Sequence, residues 1–119
     1  MSTTSDPVVP ITVTVTRDIH GNPHVNCSPA TATVSQANTT LQFTLTTSGW
    51  VFQTATPVYL VNPPDPNFPN APVLVSSTQV TWLDTLASAG DINYVACVQS
   101  TADGTQLSHD PVIHNTVSL

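Results

Sequence analysis

Residues 91–117 read DINYVACVQSTADGTQLSHDPVIHNTV, and the way this stretch distributes its apolar side chains decides the fold class. In a strand, successive side chains point to opposite faces. Ile92, Tyr94, Ala96 and Val98 therefore share one face, with Val95 and Cys97 on the other. An arm that is apolar on both sides expects cover on both sides, from sheets or loops earlier in the chain. The Asp103-Gly104 pair marks a hairpin turn, whose tight form takes φ > 0 at both central residues. TQLSHDPVIHN then returns antiparallel, so the first arm becomes the centre of an all-β core.

The remaining sequence supplies that core and little else. Its 119 residues are the length of one domain, with residues 1–9 read as a loose tail. Charged residues make up 7% of the chain, against about 25% in an average soluble protein. Arg17 is the single basic side chain, and seven aspartates set the net charge at −6. One arginine cannot displace the counterions of a nucleic acid. It cannot hold the chain on an anionic membrane either. No run approaches the ~18 apolar residues of a membrane span. The opening MSTTSDPVVP has neither a basic nor an apolar leader region, so the expected location is cytoplasmic. In that setting Cys27 and Cys97 are expected as buried, reduced thiols. Paired, they would close a long loop worth about 4 kcal/mol. Without export, the tripeptides at Asn26 and Asn38 are coincidental matches to a glycosylation signal.

Read in order, the chain is a series of short strands and turns. ITVTVT at 11–16 alternates strictly, with Ile11, Val13 and Val15 inward. His20-Gly21-Asn22-Pro23 turns it back into a strand from His24 to Cys27, and Ser28-Pro29 ends that hairpin. Residues 30–35 form a short edge strand. Residues 40–47 give the cleanest alternation, with Leu41, Phe43 and Leu45 inward. Trp50 and Phe52 share a face and anchor the core. Further short strands are read at 58–61, 73–76 and 79–83, and residues 85–89 have room for one helical turn before Gly90. Between them, residues 62–72, NPPDPNFPNAP, hold five prolines in eleven positions. Proline removes amide donors and fixes φ, so this is a stiff extended loop. The expected fold is all-β: an antiparallel β-sandwich of roughly seven to nine short strands at turn spacings of about 8–12 residues.

Three places resemble the DP-EP family of small bacterial proteins of unassigned activity. They are ITVTVTRDIHGNP, TLQFTLTTSGWVF and the ending HDPVIHN, which is similar to the family's terminal DP-x-I-x-N pattern. More distantly, YVACVQSTADGTQLSHDPVI resembles bacterial inclusion-body proteins. The resemblance implies an immunoglobulin-like sandwich with no established enzymatic activity and no established cofactor. The chain departs from the pattern at Val112, where the family name places a second acid. It also departs from true immunoglobulin domains, whose F strand carries Tyr two residues before Cys, whereas Tyr94 and Cys97 are three apart.

Candidate sites are few. Asp110-Pro111 reads as a structural turn, with a polar cluster of His109, Asp110 and His114 as the functional alternative. A blue-copper reading fails on spacing, since the first histidine after Cys97 is His109 and the only methionine is Met1. A surface pair of His20 and His24 could take up adventitious Zn²⁺ or Ni²⁺. No nucleophile elbow or paired-carboxylate spacing is present, so no catalytic residue is assigned. The proline loop with Phe68, beside Tyr59, is the best interaction surface, unless Phe68 folds back over the sandwich. Few charged residues guard the strand edges, which points to a homo-oligomer. The expected function is therefore non-catalytic protein binding or self-association. The first alternative is a carbohydrate-binding module stacking sugars on Tyr59, Phe68 or a surface-lying Trp82. The second is a divergent cupredoxin-like metal protein.

Overall fold

The computed structural model describes residues 7–116. The chain is all-β, with its strands arranged in two sheets. The first sheet has the order β2 (Pro23–Ser28), β1 (Val8–Arg17), β4 (Thr39–Leu45), β8 (Gln79–Asp84) and β7 (Val73–Ser76). The second is built on β9 (Gly90–Ser100). One flank of β9 carries β10 (Gln106–His109) and β11 (Val112–Asn115), with β3 (Thr31–Val34) beyond β11. The other carries β5 (Trp50–Phe52) and β6 (Val58–Leu60). Ala96 pairs with both Val58 and His109, which places β6 and β10 on opposite flanks.

Apart from the β1–β2 hairpin, the plan is immunoglobulin-like. β4, β8 and β7 face the β5/β6 pair, β9 and the β10/β11 pair, as strands B, E and D face C, F and G. The sheets are mixed rather than purely antiparallel. β1 runs parallel to β4, and β3 runs parallel to β11. The parallel pairing arises because the chain leaves the first sheet after β2 and joins the far edge of the second as β3.

Tyr94 lies where the inner faces meet. Its ring packs edge-on to Phe43 at 5.5 Å between centroids and to Trp82 at 6.2 Å, so one side chain of β9 ties together β4 and β8 across the core. Ile92, Ala96 and Val98 are buried on the same face. The inward residues of β4 and the Trp50/Phe52 pair are buried as the alternation requires. The outer face of β9 is less enclosed than its composition suggests. Cys97 is buried there, Val95 is half-buried, and Asp91 and Asn93 are exposed. The β5–β6 connection stays on the flank of β9 at this point, since Gln53 N donates to Cys97 O and Cys97 N donates to Pro57 O.

Both cysteines are free. Burial pushes the Cys27 thiol up to about 11, and the Cys97 thiol is raised for the same reason.

Local readings change at three points. β1 begins at Val8, so Val8 and Val9 belong to a strand rather than a tail, while residues 1–6 lie outside the described residues. The same holds for residues 117–119, including Val117 of the opening stretch. The β9–β10 turn spans residues 101–105, where Gly104 takes φ +74 and Asp103 does not share it. A longer loop relieves the need for two left-handed residues: Gly104 N donates to Ser100 O, and Asp103 Oδ1 accepts from Thr105 N. Residues 85–89 form no helical turn. Asp84 Oδ1 accepts from Leu86 N at 2.9 Å, holding Leu86 at φ +57, and this local bond displaces a helix start.

Candidate functional site

The proline loop, residues 62–72, runs from the edge strand of the second sheet, β6, to the edge strand of the first, β7. It is anchored at its middle. Asp65 Oδ1 accepts from Asn67 N at 2.9 Å and from Asn67 Nδ2 at 2.7 Å, and Asn67 Oδ1 accepts from Ser88 N at 2.9 Å. Phe68 then folds inward and stacks on Trp82, with ring centroids 4.5 Å apart. Trp82 Nε1 donates to Asn70 O at 3.3 Å, which draws the second half of the loop down as well.

What this leaves is a groove of about 470 Å³ between β6 and residues 69–72. Its walls are Val58, Tyr59 and Leu60 on one side and residues 69–72 on the other, with the Phe68–Trp82 stack as floor. No charged side chain lines it. Phe68 is only 7% exposed and Trp82 3%, so the indole is not a surface platform. Phe68 stacks on it, Tyr94 meets it in a T-shaped contact, and its N–H is taken by Asn70. Tyr59, 44% exposed, is the aromatic that remains open to a ligand.

The backbone of the β6 wall matters more than its side chains. Cys97 N donates to Pro57 O and Val61 N donates to Asn93 O, so positions 57, 59 and 61 turn their polar groups toward β9. In an antiparallel pair the positions between them turn theirs away. The N–H and C=O groups of Val58 and Leu60 therefore point away from β9, those of half-buried Leu60 toward the groove, while Val58 is itself only 2% exposed. Among the described residues they have no hydrogen-bond partner. They line an apolar groove with their bonding capacity unused.

The same side of the molecule collects apolar surface. Among the described residues, six large hydrophobic side chains are well exposed, and four of them, Tyr59, Val61, Val73 and Val75, flank the proline loop. Val73 and Val75 are 59% and 55% exposed on β7, whose pairing with β8 is interrupted between Leu74 and Ser76.

The six candidate residues thus divide. Tyr59, Phe68 and Trp82 meet in one groove. His109, Asp110 and His114 lie on the other flank of β9. There, half-buried His109 sits opposite Ala96 in the ladder, and exposed His114 bonds to Asp91 through Nδ1. The Asp110 carboxylate makes no hydrogen bond among the described residues, and no group of three His, Cys, Asp or Glu side chains gathers there or elsewhere among them. Asp110-Pro111 is instead the bend that divides the last strand into β10 and β11. Beyond it Pro111, Ile113 and Asn115 all face inward, so the DP-x-I-x-N spacing is a packing pattern, and Val112 is half-buried at its middle.

Four polar side chains are buried among the described residues, Thr39, Asn67, Asp84 and Asn115, and the sequence reading singles out none of them. Asp84 and Asn115 meet across the end of the sandwich, where Asn115 Nδ2 donates to Asp84 Oδ1 at 3.1 Å. The signal was present: Asp84 continues the inward positions of Val80 and Trp82, and Asn115 continues that of Ile113. The Tyr94 hydroxyl is also buried. It has the Cys27 thiol as polar neighbour, and burial and that thiol push its pKa well above the usual phenol range.

A scan of protein-family models finds none that matches the chain, and no curated protein matches it either.

Proposed function

We propose that this is a non-catalytic sandwich of the DP-EP kind that acts by self-association, a second copy of the chain adding its own β6 to the free edge of β6. The observation that carries the reading is the unused backbone donor and acceptor of half-buried Leu60 in an uncharged groove, next to those of Val58, which is 2% exposed and is uncovered when a partner strand docks. Strand addition uses such main-chain groups for affinity and flanking pockets for specificity. A two-fold axis through Tyr59 would oppose Val58 to Leu60 of the partner in both directions, giving four N–H···O bonds with the Tyr59 rings side by side. The charge distribution supports a second copy as occupant. Chains carrying −6 repel each other, yet the groove itself holds no charge, and the carboxylates nearest it, Asp65 and Asp91, lie beyond Leu60. A glycan stacking on Tyr59 is the second reading, favoured by that ring's exposure at the groove rim.

Sedimentation velocity over a wide concentration range tests this with Leu60→Pro. The substitution removes an N–H that faces away from β9, so the ladder within the chain survives. Two bonds per dimer are lost at about 1 kcal/mol each, an expected weakening of roughly 30-fold. A variant that associates as strongly as the wild type sinks the proposal, and hits on a glycan array that Tyr59→Ala abolishes would replace it.

A further inference from the structure

Asp84 and Asn115 are each almost wholly buried, and each has one oxygen without a partner: Asp84 Oδ2 and Asn115 Oδ1. The other polar atoms of the pair are satisfied. Asp84 Oδ1 accepts from Leu86 N and Asn115 Nδ2, and Asn115 Nδ2 also donates to Ser88 O. Two acceptor oxygens left over on two side chains already joined by one hydrogen bond cannot satisfy each other while both are bare. Buried acceptors in that state are costly. One proton cures both.

We propose that Asp84 is held as the neutral acid and donates from Oδ2 to Asn115 Oδ1, closing a two-bond acid–amide ring that clasps the two sheets at this end of the sandwich. The reading is independent of the self-association argued above. β8 supplies the acid and β11 the amide, so the ring bridges layers that share no ladder there. The surroundings favour a neutral group. Burial raises the Asp84 pKa most, and the bonds from Leu86 N and Asn115 partly offset this. Asp65, on the proline loop, raises it further and is the charged group that faces it. Arg17 ends β1 at the far end of the sheet, and His114 turns outward to Asp91. Ser88 belongs to the same network through Asn67, so the clasp also fixes the proline loop.

The sign of the pH dependence follows. Over the range where the unfolded chain has released this proton, the folded chain keeps it. The contribution is full below the ordinary carboxylate value and is lost as pH rises through the raised folded value. Urea unfolding of wild type and Asp84→Asn across the acid-to-neutral range reads this out, with carbon-13 titration of the Asp84 carboxyl alongside. The ratio of wild-type to variant folding constants is expected to fall with rising pH, by up to tenfold per pH unit, and then level off. Asp84→Asn can make both bonds as an amide and is expected to be insensitive where the wild type is not. The Asp84 carboxyl is expected to titrate above the usual range. A ratio that rises with pH, or a carboxyl that titrates at or below the usual range, overturns the proposal, and the titration decides alone if the variant fails to fold. Added Ca²⁺ or Na⁺ that stabilises the wild type but not Asp84→Asn would overturn it as well, putting a cation where we place the proton.

Discussion

Where β2 and β3 end the two sheets, the outward positions are His24, Asn26, Ser28, Thr31 and Thr33, all exposed and all polar. Where β6 and β7 end them, the exposed positions are Tyr59, Val73, Val75 and Ser76, with Val61 just after β6, all apolar but Ser76. Both sides leave backbone groups unpaired along an edge, and natural sheets usually blunt such edges with polar or charged side chains, bulges or covering loops. The first side is blunted in that way, with Asn26 bonded to Thr16 and His24 to Asp18. The second is flanked by a proline loop that stops short of β6 and leaves a groove. In a chain with so few charges, this contrast is what the proposed association through β6 rests on.

Breaking the floor of the groove should have the largest effect. Trp82→Ala removes the platform for Phe68 and the donor to Asn70 O. We expect a loss of about 3–5 kcal/mol in urea unfolding, the usual range for truncating a buried aromatic. Next comes the edge itself. Leu60→Pro should weaken association while Thr33→Pro should not, although both remove an outward N–H. On β3 the bonds to β11 come from the neighbouring positions, as Thr116 N donating to Val34 O shows. Light scattering of the two variants side by side sharpens the comparison, and equal losses would erase it. Val75→Lys adds a missing gatekeeper to β7. It should lower association several-fold with stability changed by no more than about 0.5 kcal/mol, as for other exposed substitutions.

The smallest expected effect lies on the polar side. Asp18 accepts from His24 Nε2, from Asn22 N and from His20 N, and these bonds hold its carboxyl below the usual value. Its contribution is present above the ordinary carboxylate pKa and fades as pH falls through the lowered folded value. Thermal unfolding of Asp18→Asn should therefore differ from wild type near neutral pH and converge with it in acid.

How much of this the sequence could carry depends on the range of the physics. Alternation is local, so the inward set of β4 and the buried Tyr94 column could be read directly. Strand pairing is not local. Nothing in ITVTVT names residues 40–45 as its parallel neighbour, and nothing in TATV names β11. β5 and β6 read as separate short strands, and only the structure shows that both lie on β9. Phe68 was undecidable because five prolines fix a loop's stiffness but not the direction of its one aromatic. The free groups of Val58 and Leu60 were invisible for a related reason. Which way a backbone amide points depends on the register of the ladder, and that register is set by the long β9 strand. Asp84 and Asn115, by contrast, stand at inward positions of good alternation, where a polar side chain is itself the sign of a buried polar pair.

The central claim is that the outward amides of β6 are covered when two copies meet, and amide hydrogen exchange at Leu60, followed from dilute to concentrated protein, tests it most directly. The account predicts that the Leu60 amide slows by an order of magnitude or more as concentration rises, while the outward amide of Thr33 on β3 does not change. Exchange at Leu60 that is the same at every concentration, or a slowing shared equally by Thr33, would contradict it.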